Sequence, residues 1–474
     1  MTAATLWIYI PFITGALLLF FAGQERLSRV ISLALTAFLA YVGLRIPVNS
    51  MIVMNRSSLI FTAADRLLGR SVTITRSDQT VVAFFYAVAF LWILGSIFMR
   101  TYRYFIPVCL MGTALIIGVI AVSPFIYGVF LVMICALLFM PMLRYGASGN
   151  KNAVFRFLMY QTLGMICLAI SGQLTGMVEL NQQDAYLLRR TVVLIYSGFS
   201  LWLAVFPFFS WIASLMEDSS PFLSGFVVSL LEFSSLFILL QFLNDYQWLR
   251  TFQPFFRGMR LAGIMMFLVG SVWAIFQKDL QRMMAYIITA ENGVSILLLG
   301  IRSRDGISTF LSYLTIHSVV WLIWAASVKF ISDDNSLSLG DLRGFWRQRP
   351  FYCAALLFSL FTVGGMPFLA GFRLRISLIS SCFTHSKILG WAAGIASALV
   401  LFSALRLLLI FLSPTQETET GAAEIPDERT RYENLFRNFL MVGLLLLLVV
   451  IGLFPSVMDV FIRGIRTQYL TIFG

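Results

Sequence analysis

PFLSGFVVSLLEFSSLFILLQF, residues 221–242, is a continuous apolar run with one ionisable side chain, Glu232, at its middle. About 20 apolar residues in helical form cross the hydrocarbon of a bilayer. Only helices and closed barrels satisfy every backbone polar group in lipid. Barrel strands alternate apolar and polar positions over roughly ten residues, and this run does not alternate. It reads as a membrane-spanning helix with a carboxylate at its centre.

Runs of the same kind recur on both sides. They fall at 3–23, 29–45, 80–99, 104–123, 125–143, 153–174, 190–210, 259–276, 284–301, 307–331, 351–372, 388–412 and 435–458. The pattern predicts an all-α integral membrane protein of about 14 transmembrane helices, one transmembrane domain over 1–474. Hydrophobic residues make up 59% of the chain and charged residues 12%, with mean hydropathy +0.88, which excludes a soluble chain of this length. The first run lacks a basic leader and is expected to be a span, not a cleaved signal. Residues 46–79 read as an extramembrane loop, with Leu59, Ile60, Leu67 and Leu68 suited to the interface plane. Residues 414–433 carry Glu417, Glu419, Glu424, Asp427 and Glu428 and read as a solvated polar loop. The Lys/Arg bias of alternate loops is nearly balanced, so it does not set the orientation.

The net charge is +12, almost all of it from Arg. These Arg residues are scattered over short loops and form no nucleic-acid face; anchoring at anionic headgroups accounts for them. Cys109, Cys135, Cys167, Cys353 and Cys382 sit in apolar runs without a CxxC pair and read as buried thiols. No iron–sulfur, haem, zinc or phosphate-loop pattern is present, so no cofactor is expected on this chain.

Ionisable groups inside a membrane cost roughly 2.5–3.5 kcal/mol each on insertion scales and usually face a bundle interior. The candidates are Glu232, Glu291 in AYIITAENGVSILLLG, His317 in YLTIHSVVWLIW, and Arg375 in GGMPFLAGFRLR. Glu232 suits a proton-carrying carboxylate, or one held for packing alone. Glu291 has Asn292 beside it, which suits a polar break in the helix. His317 fits a proton relay or a hydrogen-bonded structural role. Arg375 fits snorkelling to the interface or a place on an ion path. Asp279 and Arg282, three apart at a helix start, suit capping and local pairing. Pro207 and Pro367, each followed by Phe, lie late in the seventh and twelfth runs. Proline-broken helices at matching positions of two inverted repeats point to an ion or substrate path.

Three segments together carry a resemblance. FPFFSWIASLMEDSSPFLSGF (206–226) contributes Pro207, Phe208, Trp211, Pro221 and Ser224. AIFQKDLQRMMAYIITAENG (274–293) contributes Gln277, Asp279, Leu280, Arg282, Ala285 and Tyr286. DLRGFW (341–346) is followed by GGMPFLAGF (364–372). In order and spacing they resemble the antiporter-like subunits shared by respiratory complex I, multisubunit cation/proton antiporters and energy-converting hydrogenases. Glu291-Asn292 is closer to the hydrogenase-type branch.

The resemblance implies a bundle of two inverted repeats, roughly 104–242 and 259–412, with broken helices. It implies partners: other antiporter-like and small membrane subunits, and iron–sulfur subunits of a peripheral arm. It implies a bacterial or archaeal cytoplasmic membrane. The family passes protons along a mid-membrane line of Lys, Glu and His. Here its fifth-helix Glu falls on Ala136, its seventh-helix Lys on Trp202 and its His after Pro-Phe on Phe209. Its eighth-helix Lys falls on Glu232, its eleventh-helix Lys on Trp321, and its twelfth-helix basic group on Arg375. Ala and Trp exchange no protons, and an Arg does not deprotonate. The expected function is a membrane subunit of a redox-driven ion-translocating complex with a degenerate proton path. The alternatives are a path rerouted through Glu232, Glu291 and His317, or a stand-alone transporter.

Overall fold

The computed structural model describes residues 2–145, 152–332, 337–414 and 428–469, apart from positions 22, 55, 56, 68, 98, 100, 125, 182, 455, 457, 459, 460, 467 and 468. The chain opens with a π-helical turn, Thr5–Tyr9, that runs into α1 (Ile10–Phe20) and then α2 (Glu25–Arg45). After two β-hairpins come α3 (Gln79–Ser96), α4 (Phe105–Ala121), α5 (Ile126–Leu143), α6 (Asn152–Leu180), α7 (Ala185–Trp202) and α8 (Ser210–Asp218). The middle of the chain is α9 (Pro221–Asp245), α10 (Gln247–Thr251), α11 (Gln253–Phe276), α12 (Leu280–Ile301) and α13 (Arg304–Ser332). Last are α14 (Pro350–Gly364), α15 (Ala370–His385), α16 (Lys387–Leu412) and α17 (Glu428–Leu453).

Ten of the described helices are long and apolar enough to cross a bilayer, and three shorter apolar ones are Thr5–Phe20, Phe105–Ala121 and Pro350–Gly364. With α7 they account for the fourteen apolar runs of the sequence. The protein is a multi-pass helical membrane protein.

The helices differ sharply in how much they bury. The apolar windows of α9, α12 and α13 are 94%, 94% and 89% buried, against 33% for α2 and α6 and 28% for α17. A helix apolar all round belongs inside a bundle. The three inner helices therefore form the core, and α2, α6 and α17 turn most of their surface out of the bundle. Helix α11 reaches the core by backbone contact with α12. A Cβ added at Gly293 would lie 2.7 Å from the Gly263 carbonyl oxygen, so both positions are held to glycine.

Two of the long apolar runs are broken inside the bundle. Helix α7 stops at Trp202, Ala204 takes φ 54°, and Pro207 precedes α8. Helix α14 stops at Gly364, and Gly365 takes φ 76°, a left-handed conformation that glycine adopts freely. The Met366 N–H then closes on the Phe361 carbonyl (3.0 Å), and Pro367 precedes α15. Proline has no N–H to continue the ladder. Pro221 occupies the first turn of α9, where the missing N–H costs nothing.

The 46–79 segment is more ordered than its composition predicts. It forms the hairpins β1 (Met51–Met54) with β2 (Ser57–Ile60) and β3 (Ala64–Leu67) with β4 (Arg70–Thr73); β5 (Val122–Ser123) adds to β4. Short strands with mixed Arg, Ser and Thr give little alternation, so the pairing is not visible in sequence. The side chains of Leu59, Ile60, Leu67 and Leu68, read as interfacial, lie outside the described residues. So does most of the polar segment 414–433, whose end from Glu428 onward belongs to α17.

Candidate functional site

Three of the ionisable side chains singled out by sequence stand on the inner helices, and the fourth stands on the helix that follows the second break. Glu232 is on α9, Glu291 on α12, His317 on α13 and Arg375 on α15. Their exposures are 3%, 0%, 2% and 2%.

Glu291 is the hub. Its Oε1 accepts a hydrogen bond from Nη2 of Arg375, and its Oε2 lies 3.5 Å from Nε2 of His317. Arg375 is held by the break itself: Nε and Nη2 donate to the Val363 carbonyl at 3.0 and 2.8 Å. That carbonyl is one of those left without an intrahelical partner where α14 ends. The guanidinium also lies 5.0 Å from the Phe267 ring centroid and 5.7 Å from that of Tyr313. Arg375 does not snorkel. It sits on the second turn of a helix that begins inside the bundle, so its side chain meets the core and not an interface.

The break is tight. A Cβ at Gly371 would meet the Thr362 carbonyl oxygen at 1.7 Å, and one at Gly365 would meet Cγ of Arg375 at 2.4 Å. These two glycines let α15 and the Arg375 stem pass the end of α14.

His317 is stacked between its α13 neighbours. Its ring is 5.2 Å from Tyr313 in an edge arrangement and 4.9 Å from Trp321 in a tilted one. The three are four residues apart and share one helix face. Glu232 lies within electrostatic range of Glu291 and of the Trp321 indole. No hydrogen bond of normal geometry is formed by either Glu232 oxygen or by the Trp321 N–H among the described residues.

Asn292 does not mark a break in its own helix, since α12 is continuous from Leu280 to Ile301. Its amide instead donates to the Leu203 carbonyl (3.4 Å), at the break after α7. Neighbouring residues of one helix thus contact the two breaks: Asn292 the first, and Glu291, through Arg375, the second.

Asp279 and Arg282 lie at the start of α12, away from this cluster. The Asp279 carboxylate accepts from the Arg282 backbone N–H at 2.9 Å, an N-cap bond. The Arg282 side chain reaches Glu217 on α8 at 3.5 Å, a partner the sequence spacing does not suggest. Gln281 ties the same end to α8, donating to the carbonyls of Met216 (2.5 Å) and Ser219 (3.0 Å). Residues 337–339 pair with 278–280 through Leu280 N–H to Leu337 O and Leu339 N–H to Lys278 O. The segment ahead of DLRGFW is therefore stitched to the QKDL turn.

At the first break, the position where the antiporter-like pattern has a Lys is filled by packing. Trp202 is 2% exposed, and its indole N–H donates to the Gln161 carbonyl (3.1 Å) on α6. A Cβ at Gly164 would lie 2.3 Å from that indole. Ala136 is fully buried on α5.

Sequence reasoning reached Glu232, Glu291, His317 and Arg375 one at a time, from their cost in lipid. It missed Tyr313, whose four-residue spacing from His317 was the available signal. It also missed the Leu203 and Val363 carbonyls, which carry no side-chain signature.

Comparison with known proteins follows the same lines. Residues 132–400 match the family model described as NADH:quinone oxidoreductase/Mrp antiporter, transmembrane. NADH-quinone oxidoreductase subunit N of Salinispora arenicola is 26% identical over 264 residues, 52% of this chain and 48% of that protein. The chain thus matches about half the length of such curated relatives. Among solved structures, a chain of the Mrp complex from Dietzia sp. DQ12-45-1b superposes with TM-score 0.77 at 17% identity, covering 100% of this chain and 99% of its own. A chain of respiratory complex I from Thermus thermophilus does so with TM-score 0.75 at 18% identity, covering 99% and 100%. With more than half its length inside the matched region and both helix breaks in place, this chain belongs to the NADH:quinone oxidoreductase/Mrp antiporter transmembrane family.

Proposed function

We propose that this chain is an antiporter-like membrane subunit of a multisubunit, redox-driven ion-translocating complex in a bacterial or archaeal cytoplasmic membrane, and that its own proton path is closed. The observation that carries the second part is the state of the two helix breaks. At the first, Trp202 packs against Gly164 and bonds the α6 backbone, so no titratable side chain stands where the resemblance places a Lys. At the second, the Glu291 carboxylate is engaged by Arg375, a group that does not release its proton. The chain keeps two well-formed breaks and a packed bundle, roughly 104–242 and 259–412 by the repeat reading, so that neighbouring subunits have a scaffold to dock on. The redox centres would then reside on iron–sulfur subunits of a peripheral arm.

A second reading is favoured by one specific observation. Glu232, Glu291 and His317 are all buried, Glu232 within electrostatic range of Glu291 and Glu291 3.5 Å from His317, and a rerouted path would use them in that order.

The test of membership is co-purification. The tagged chain is extracted in mild detergent, and its companions are identified by mass spectrometry and iron–sulfur spectroscopy. Iron–sulfur and further antiporter-like subunits at fixed stoichiometry are expected. A lone chain or a homo-oligomer without redox centres would move the assignment to solute transport.

A further inference from the structure

A cavity of about 1150 Å³ lies on the bundle surface between α13, α15, the end of α17 and Ser456, Met458, Ile462, Arg463 and Arg466. It exceeds the usual range of roughly 300–1,000 Å³ for small-molecule sites. Its axis follows the antiparallel pair α13 and α15. Thr309 meets Ser377 at 2.7 Å, whereas Tyr313, one turn further along α13, lies by Arg375. The cavity therefore begins at Asp305, in the first turn of α13, and ends by Ile316 and Pro367 at the second helix break. At 1.5 Å per residue that is about 16 Å of depth along α13.

Its lining has two chemistries. One is cationic and hydroxylic: Arg373, Arg463 and Arg466, with Ser312, Ser377 and Ser381. Among the described lining residues Asp305 is the one acidic side chain beside Arg373 and Arg466, so this part of the wall carries excess positive charge. The other is apolar and bare: Phe368 is 98% exposed, Leu453 65%, Phe454 59% and Phe372 38%. These four lie around the second break and the end of α17. A free anion uses only the first wall, and a neutral apolar ligand only the second. A molecule with a phosphate head and acyl tails uses both, and the surrounding membrane supplies it. Basic pockets between membrane helices hold anionic lipid headgroups for this reason.

We infer that this cavity is a binding site for one anionic glycerophospholipid, its phosphate held by Arg373 and Arg466 and its chains laid over Phe368, Phe372, Leu453 and Phe454. The inference rests on the chain spanning a membrane and is independent of whether the chain conducts protons. A bound lipid would brace α15 against α17, where Gly452 already lets the two backbones approach: a Cβ there would lie 3.1 Å from the Ala370 backbone.

The experiment is native mass spectrometry of the purified full chain in mild detergent, titrated with phosphatidylglycerol or phosphatidylcholine. Phosphatidylglycerol is expected to be retained roughly five- to tenfold better for each guanidinium that meets it. Arg373→Gln with Arg466→Gln should abolish the preference, and Arg373→Lys with Arg466→Lys should keep most of it, which separates lost charge from lost folding. Equal retention of the two lipids, or a preference that survives the double Gln change, would overturn the proposal. Displacement of the lipid by millimolar inorganic phosphate would also overturn it, because the site would then read a free anion. So would a neighbouring subunit covering the cavity in the assembled complex with no lipid retained.

Discussion

The Arg375 guanidinium donates to the Glu291 carboxylate inside the bundle, joining α15 to α12 across 84 positions of sequence. Neither group is exposed to solvent. Breaking a buried pair by removing one partner leaves an uncompensated charge, at a cost of about 3–5 kcal/mol. Glu291→Gln and Arg375→Met should each lower the thermal stability of the purified protein strongly. The double variant should lose clearly less than the sum of the two. Additive losses in a double-mutant cycle would mean that the pair is not coupled.

Glu232 stands differently. Its carboxylate oxygens meet no hydrogen-bond donor of normal geometry among the described residues. The isosteric amide of Gln keeps the shape and stays polar, so the change removes an ionisable group without breaking a hydrogen bond. Glu232→Gln should leave the melting temperature unchanged or raised. A drop like that of Glu291→Gln would reveal a partner that holds it.

The first break tests packing rather than charge. Gly164→Ala should be destabilising by about 1–3 kcal/mol, the usual cost of overpacking, because the new methyl overlaps the Trp202 indole. Pairing it with Trp202→Phe, a smaller ring, should restore part of the loss. If Gly164→Ala alone is silent in a thermal shift assay, α6 and α7 are less tightly apposed than the structure has them.

The second break depends on Gly371 in the same way, but against backbone. A Cβ there meets a carbonyl oxygen, which has no rotamer to change. Gly371→Ala should reduce the yield of monodisperse protein more than Gly164→Ala does. Equal yields would contradict the close crossing of α14 and α15.

Asp279 gives a pH dependence. Burial raises its pKa above the usual Asp range, against the bonds it accepts from the Arg282 and Gln281 N–H groups. The folded state therefore keeps this proton to higher pH than the unfolded state does. In that window the unfolded state binds fewer protons, so the group's contribution to stability falls as pH rises. Asp279→Asn keeps the cap and should flatten the decline in melting temperature from pH 4 upward. An unchanged slope would assign the pH dependence to other groups.

Much of the architecture was legible because lipid leaves few options. The apolar runs coincide with helices, and Pro207 and Pro367 mark both breaks. The run 351–372 illustrates the limit: its apolar character continues through Gly364–Ala370, where the helix does not, and Gly365 with Pro367 carry the signal instead. The site was legible only as separate residues. The cost of a charge in lipid points to Glu291 and Arg375, but no spacing rule joins positions on α12 and α15. For Arg375 the sequence favoured snorkelling to the interface, which the structure overturns, because helix depth was not visible. The hairpins of 46–79 escaped because strands of four residues leave too few positions for alternation.

The central claim, that this chain scaffolds a translocating complex without conducting protons itself, meets its most direct test in the reconstituted complex. Protons moved per electron pair are measured in sealed vesicles for the wild type and for Glu232→Gln, with assembly and electron transfer monitored in parallel. The account predicts an unchanged ratio. Loss of proton translocation with assembly and electron transfer intact would contradict it and establish the route through Glu232, Glu291 and His317.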